Sequence, residues 1–297
     1  MKNYGKTFRK IRKSRGIKLK DIAKMGISVS QLSRFENGET NLIISKFILI
    51  LNEIMMPLDE FMNEAHDFRN NRLNERFEHM IYFTIENDIL RMKQLLVDEM
   101  KKNTQRSHFY YLNLILIKIR LQVMTGELYY TKDDLEVLID YLFTTEYWGY
   151  YELYLFTNTL DVINHETMML LSREIVSQTK ALNKLQLYRR MLSAMLLNGY
   201  MTCIQRQKMK DAIFFEKCIE RCLFTETEIY EKLVFQYAKH FFIYSKSSSE
   251  DAINKMKKII EVMRLVESHH IASYYENHLN HILCEKMCIY GTVCKKH

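Results

Sequence analysis

The sequence predicts an all-α protein, and three observations carry that prediction. One proline and eight glycines are spread over 297 residues. Strand-rich folds need many tight turns, and turns draw on those two residues. Leucine, isoleucine, methionine and lysine are abundant, and most of these favour helix. Apolar residues recur three and four apart, as one face of a helix requires. The chain is 47% hydrophobic and 27% charged, enough to bury a large core in two domains or one repeat array.

The first 65 residues read as five short helices. Thr7 to Arg15 turns Phe8 and Ile11 inward, and Gly16 ends it. Leu19 to Met25 turns Leu19, Ile22 and Ala23 inward, and Gly26 ends it. Ser28 starts the third, in "SVSQLSRFENGET", where Ser28 and Gln31 have the spacing of a capping box. Leu32 and Phe35 form its buried face, and Gly38 closes it. Ser45 to Glu53 and Leu58 to Glu64 follow, with Phe47, Ile48, Leu51, Ile54, Leu58 and Phe61 expected in the core.

Charge is concentrated at this end. Positions 1 to 24 hold ten Lys and Arg against Asp21 alone, a local net of +9 in a chain of net +7. Such a patch is either a solvated face or a seat for phosphates. The second helix, the turn at Gly26 and the polar third helix favour the latter, as a helix-turn-helix. Ser28, Val29, Ser30, Gln31, Ser33, Arg34 and Asn37 are its candidates for contact with duplex DNA in the major groove. Lys13, Lys18 and Lys20 are candidates for the phosphates.

"GKTFRKIRKSRGIKLKDIA" followed by "SVSQLSRFENGET" resembles the helix-turn-helix of phage-repressor-like regulators, and within them the Rgg/GadR/MutR group. "SRFENGE" and the later "LDEF" are the most specific matches. The resemblance implies a structural pair, Arg12 of the first helix with Glu36 after the recognition helix, because a buried charge is kept only when paired.

Beyond residue 66 the chain changes character. Charged "DFRNNRLNERFE" reads as a linking helix. Amphipathic helices then follow over 70–86, 88–102, 106–125, 131–144, 147–162, 166–180, 183–199, 206–222, 225–244, 249–267 and 270–290, with "TGELYYT", "NGYMTC" and "SKSSSE" as loops. Similar lengths and short loops make neighbours antiparallel. Pairs recur about every 35 to 40 residues, as in helical-repeat arrays. The expected organisation is a helix-turn-helix DNA-binding domain at 1–65, a linker at 66–72 and a right-handed TPR-like helical-repeat domain at 73–297 for dimerisation and, in a concave groove, for an extended peptide.

In "YWGYYELYLFTNTLD", Tyr147, Tyr151, Tyr154, Asn158 and Asp161 are spaced four, three, four and three, one stripe along a continuous helix. Tyrosine gives flat apolar area with a hydroxyl, and asparagine can hold a peptide backbone. The alternative is tyrosines packed between helices with satisfied hydroxyls. Arg190, Asn198 and Tyr237 are further groove candidates. The stretch from "DDLEVLIDYLF" through "YELYLFTN" also resembles Rgg proteins. That likeness implies a cytosolic homodimer that binds promoter DNA and answers a short signalling peptide.

Other chemistries find little footing. There is no glycine-rich phosphate loop, no G-x-S-x-G and no H-E-x-x-H, so neither an enzyme nor a cofactor is expected. Asp133 and Asp134 suit the positive end of a helix. His278, His281, Cys284 or Glu285, and Cys288 could share one face of the last helix, yet four ligands on one continuous helix cannot surround an ion. A pH or redox input through that tail is the alternative to a peptide, and a scaffold role is the alternative to regulation. No apolar run is long enough for a membrane span, and the six cysteines then read as free thiols.

Overall fold

In the computed structural model the described residues are 4–23, 26–65, 72–101, 107–178, 186–221 and 225–289, and all their regular structure is helical. The chain divides into two compact units, Met1–His79 and Met80–His297. The expected 66–72 linker lies outside the described residues except Arg72.

The first unit holds α1 (Tyr4–Ser14), α2 (Leu19–Ile22), α3 (Val29–Glu36), α4 (Ile44–Glu53) and α5 (Leu58–Ala65). Gly16, Gly26 and Gly38 all take positive φ at the three turns, where a side chain would be strained. The core joins Phe8, Ile22, Leu32, Ile50 and Phe61, all with no exposure. An aromatic chain Phe8–Phe35–Phe47–Phe61 runs through it with centroid steps of 6.0, 6.0 and 5.0 Å. Gly5 lets α1 lie against α3, since a Cβ there would sit 1.7 Å from the Phe35 carbonyl oxygen.

Some details differ from expectation. α2 is a single turn. Lys24 and Met25, expected to extend it, lie outside the described residues. Ile48 and Leu58 are exposed rather than core. The inward stripe of α4 runs through Phe47, Ile50, Leu51 and Ile54, which leaves Ile48 about 100° off it. Leu58 is the outermost residue of α5, and Met56 in the preceding turn is buried instead.

The second unit carries the array: α7 (Ile89–Lys101), α8 (His108–Thr125), α9 (Lys132–Thr144), α10 (Tyr150–Thr157), α11 (His165–Gln178), α12 (Gln186–Gln205), α13 (Met209–Arg221), α14 (Ile229–Ser247), α15 (Glu250–Leu265) and α16 (His269–Ile289). The unit boundary falls within the helix before them, α6 (Arg72–Ile85). Sequence neighbours such as α7 and α8, α12 and α13, and α14 and α15 pack together. The alternate helices α10, α12 and α14 also stack on one another, which makes the array a two-layer repeat. Ser107, Thr131 and Ser249 cap α8, α9 and α15, and Asp134 completes the box on α9.

Two helices depart from their expected lengths. "NGYMTC" lies inside α12, not in a loop. Gly199 there serves close packing, because a Cβ would meet the Phe215 ring of α13 at 2.4 Å. α10 is eight residues, not sixteen. Gly149 forms its N-cap, and Glu152 accepts from the Gly149 N–H at 3.1 Å. At its end Asn158 Nδ2 donates to the Tyr154 carbonyl at 2.9 Å, and Thr159 Oγ1 donates to the Leu155 carbonyl at 2.9 Å. Short polar side chains thus compete for the backbone and stop the helix. Arg206 Nη2 then donates to the carbonyls of Leu160, Asp161 and Ile163 at 3.3, 2.8 and 2.8 Å, fixing the loop beyond.

Candidate nucleic-acid interface and ligand cleft

The recognition face is built on a capped helix. Ser28 Oγ accepts from the Gln31 N–H at 3.1 Å, the serine half of the expected box. Leu32 and Phe35 bury the opposite side of α3. That leaves Ser28, Val29, Ser30 and Arg34 exposed, with Gln31 and Ser33 half-buried. Val29 is 46% exposed, so a valine is offered to solvent or to a partner rather than to the core. Arg34 is 3.7 Å from Glu39, both well exposed, a weak pair that a base edge or phosphate can replace. Lys13, Lys18 and Lys20 are exposed as well.

Asn37 stands apart from this face. It is the C-cap of α3, where its Oδ1 accepts from Arg9 Nη1 at 3.0 Å and its Nδ2 donates to Glu39 at 3.3 Å. Arg12 and Glu36 meet as a forked pair, Nε to Oε1 at 2.6 Å and Nη2 to Oε2 at 2.9 Å. Both are almost fully buried, and Arg12 also donates to the Ile17 carbonyl. The hydrogen bond to Glu36 raises the Arg12 pKa, against the opposing effect of burial. The pair pins α1 to the end of α3 and so sets how the recognition helix is presented.

A cleft of about 130 Å³ opens in the second unit. Asn158 at the end of α10 and Asn198 on α12 lie at it, with Ile81, Thr84 and Ile85 of α6, Tyr230 of α14, and Ile271, Tyr274 and Tyr275 of α16. Asn198 Nδ2 is 3.4 Å from the Thr157 carbonyl, so both asparagines spend a donor on the backbone around the end of α10. Their side-chain oxygens accept no hydrogen bond among the described residues. The cleft therefore offers two amide acceptors between aliphatic and tyrosine walls.

The other groove candidates are placed elsewhere. Tyr154 is fully buried, because residues 153–157 all face inward once α10 starts at Tyr150. Tyr237 is fully buried too, its hydroxyl 3.2 Å from the Tyr275 carbonyl and 3.0 Å from His278 Nδ1. Neither can touch a ligand without repacking. Tyr151 is half-buried and its hydroxyl donates to Asn113 Oδ1 at 3.0 Å. Tyr147, 69% exposed, precedes α10, and Arg190 is exposed; neither lines the cleft. The stripe broke because it assumed one helix over 147–162. Its last member, Asp161, takes two bonds from Arg120 Nη2, at 2.6 and 2.8 Å. The residues missed from sequence, Tyr230, Ile271, Tyr274 and Tyr275, come from distant repeats and carry no local signature.

The C-terminal polar residues scatter. His278 sits between Tyr237 and Gln205 Nε2, which is 3.0 Å from its Nε2, and burial pushes its pKa down to about 4. Cys203 is buried and its thiol pushed up to about 12. The side chains of Glu285, Cys288 and Cys294, like Cys222, lie outside the described residues. Among the described residues no three His, Cys, Asp or Glu side chains could hold a metal ion, and no helix is long and apolar enough to cross a membrane.

A family profile for the C-terminal domain of the HTH-type transcriptional regulator Rgg matches residues 93–277, and a helix-turn-helix profile matches 8–61. This chain belongs to the Rgg family. It is thus a helix-turn-helix transcriptional regulator. Similar solved structures include a Streptococcus dysgalactiae SHP pheromone receptor, Rgg2(C45S), at 23% identity over 94% of this chain and 99% of that one, TM-score 0.76. A putative transcriptional regulator from Listeria monocytogenes shares 20% identity over 96% and 98%, TM-score 0.82. PrgX in complex with iCF10 shares 14% over the whole of both chains, TM-score 0.71. At these identities the likeness fixes the fold: an Rgg-type helical array behind a helix-turn-helix.

Proposed function

We propose that this Rgg-family regulator binds promoter DNA as a homodimer in the cytoplasm and is switched by a short signalling peptide in the cleft of its helical array. The carrying observation is the pair Asn158 and Asn198, which line one cleft and whose amide oxygens accept no hydrogen bond among the described residues. An extended peptide presents backbone N–H groups that such acceptors can hold whatever its side chains are. The aliphatic and tyrosine walls suit an apolar side chain of such a ligand, and about 130 Å³ is room for one side chain with the rest of the peptide lying outside it. The similar Rgg2 structure is described as a pheromone receptor, and another similar structure as a bacterial peptide pheromone/receptor complex. No catalytic step enters this reading.

On the DNA side, Ser28, Val29, Ser30, Gln31, Ser33 and Arg34 read the major groove, and Lys13, Lys18 and Lys20 meet phosphates. Two copies would reach half-sites about 34 Å apart, or a multiple. Support for pairing comes from the start of α4, where the N-cap Ile43 and Ile44 are 64% and 72% exposed. Ile44 lines a groove of about 440 Å³ with Tyr4, Phe35, Leu42, Phe47, Leu58 and Met62, Asn41 being its one polar residue, and such a largely apolar surface is the kind that marks a contact site.

Calorimetry against synthetic peptides encoded next to the gene tests the ligand. Saturable heat from one of them, lost in Asn158→Ala and in Asn198→Ala, is the expected result. No heat from any, beside tight specific DNA binding, removes the peptide and keeps the regulator.

A further inference from the structure

One wall of the cleft is the helix that leads into the array. Ile81, Thr84 and Ile85 of α6 line it together with Asn158, Asn198 and Ile271. The C-terminal end of α6 is tied on two sides. Toward α7, Arg91 donates to Asp88 at 2.5 Å and to Glu86 Oε2 at 3.2 Å, and its guanidinium lies over the Tyr82 and Phe83 rings at 5.7 and 5.2 Å. Toward α16, His270 Nε2 is 3.2 Å from Glu86 Oε1. The Glu86 side chain is 10% exposed, whereas that of His270 is 66% exposed.

These ties differ in kind. The Arg91 set joins the end of α6 to the next helix in the chain, across a three-residue turn. The His270 contact joins Glu86, the residue just past the end of α6, to the last helix of the array, next to Ile271 in the cleft. A single polar contact with one partner 66% exposed holds weakly and opens readily.

We propose that α6 is a movable wall of the cleft, hinged at Arg91 and latched to α16 by the Glu86–His270 pair, so that whatever fills the cleft competes with the latch for the position of α6. This rests on the reading of the cleft as the ligand site. A ligand shifts such an equilibrium by the difference in its contacts with the two positions. Ile81 and Ile85 supply that difference, because their side chains leave or meet the occupant as α6 moves.

Hydrogen exchange of the full-length protein without ligand decides whether the latch exists. His270→Gln is the variant of choice, since Glu86 keeps Arg91 and no buried carboxylate is stranded. Amides of 78–86 should exchange about two- to fivefold faster in His270→Gln, with α12 and α14 unchanged. Ile271→Trp, which fills the cleft, should speed the same amides, and the double variant should add little to either single change. Unchanged exchange in His270→Gln, or strictly additive effects, would overturn the latch. Synthetic octapeptides of leucine, isoleucine, valine and glycine form the second arm. Their affinity should change in His270→Gln if any binds the parent protein, and equal affinity overturns the coupling. If none binds while exchange behaves as described, the peptide reading fails and the latch stands.

Discussion

At the scale of single residues, DNA recognition separates into two kinds of contact. Arg34 is exposed on α3, and an arginine bidentate to guanine contributes about 1–3 kcal/mol of discrimination. Arg34→Ala should therefore relax sequence preference, seen as a specific-to-nonspecific affinity ratio falling at least about fivefold in a mobility-shift titration. Lys18→Ala should weaken all sequences alike and lower the slope of log affinity against log salt by about 1. Asn37 should act through the fold, since its side chain already serves Arg9 and Glu39. His278 supplies a pH signature. Its folded pKa, about 4, lies below its ordinary 6.5, so the unfolded chain binds the extra proton between those values. Stability is complete above pH 6.5 and falls toward pH 4. Urea unfolding at pH 5 should show a loss of about 2 kcal/mol relative to pH 7, reduced in His278→Gln.

At the scale of elements, two glycines carry predictions that backbone flexibility alone would not make. Gly5 touches the Phe35 carbonyl, so Gly5→Ala must lift α1 off α3. The expected cost is about 3 kcal/mol, with loss of DNA binding, read by thermal melting and mobility shift together. Gly199→Ala drives a methyl group into the Phe215 ring and should lower the melting temperature of the array while leaving α1 to α5 intact. The five N-terminal helices were legible in the sequence because their signals are local: Ser28 caps, and Gly16, Gly26 and Gly38 stop. The Arg12–Glu36 pair was available only through family resemblance, as nothing in its 24-residue separation marks it. Gly199 misled, since a glycine that admits a neighbouring ring looks like one that ends a helix. α10 was overextended for a related reason. Leu160, Val162 and Ile163 still follow Thr157, but Asn158 and Thr159 turn onto the backbone and Arg206, 43 or more residues away, takes the loop carbonyls.

At the scale of the whole molecule, the site depends on stacking that no local pattern records. Asn158 and Asn198 could be picked out from sequence, yet Tyr154 and Tyr237, picked beside them, turned inward. Their partners in the cleft, Ile81 of α6, Tyr230 of α14 and Tyr274 of α16, come from helices far apart in the chain. Binding at such a site matters for regulation only if the two functions are coupled. Coupling is reciprocal: a peptide that changes operator affinity by some factor must have its own affinity changed by operator DNA by the same factor. The most direct test measures all four dissociation constants, peptide with and without operator DNA and operator DNA with and without peptide, at one salt concentration. The account predicts two equal ratios of about fivefold or more, both collapsing to unity in Asn198→Ala at peptide concentrations that saturate the parent protein. A peptide that binds the cleft tightly while both ratios stay at one would contradict it.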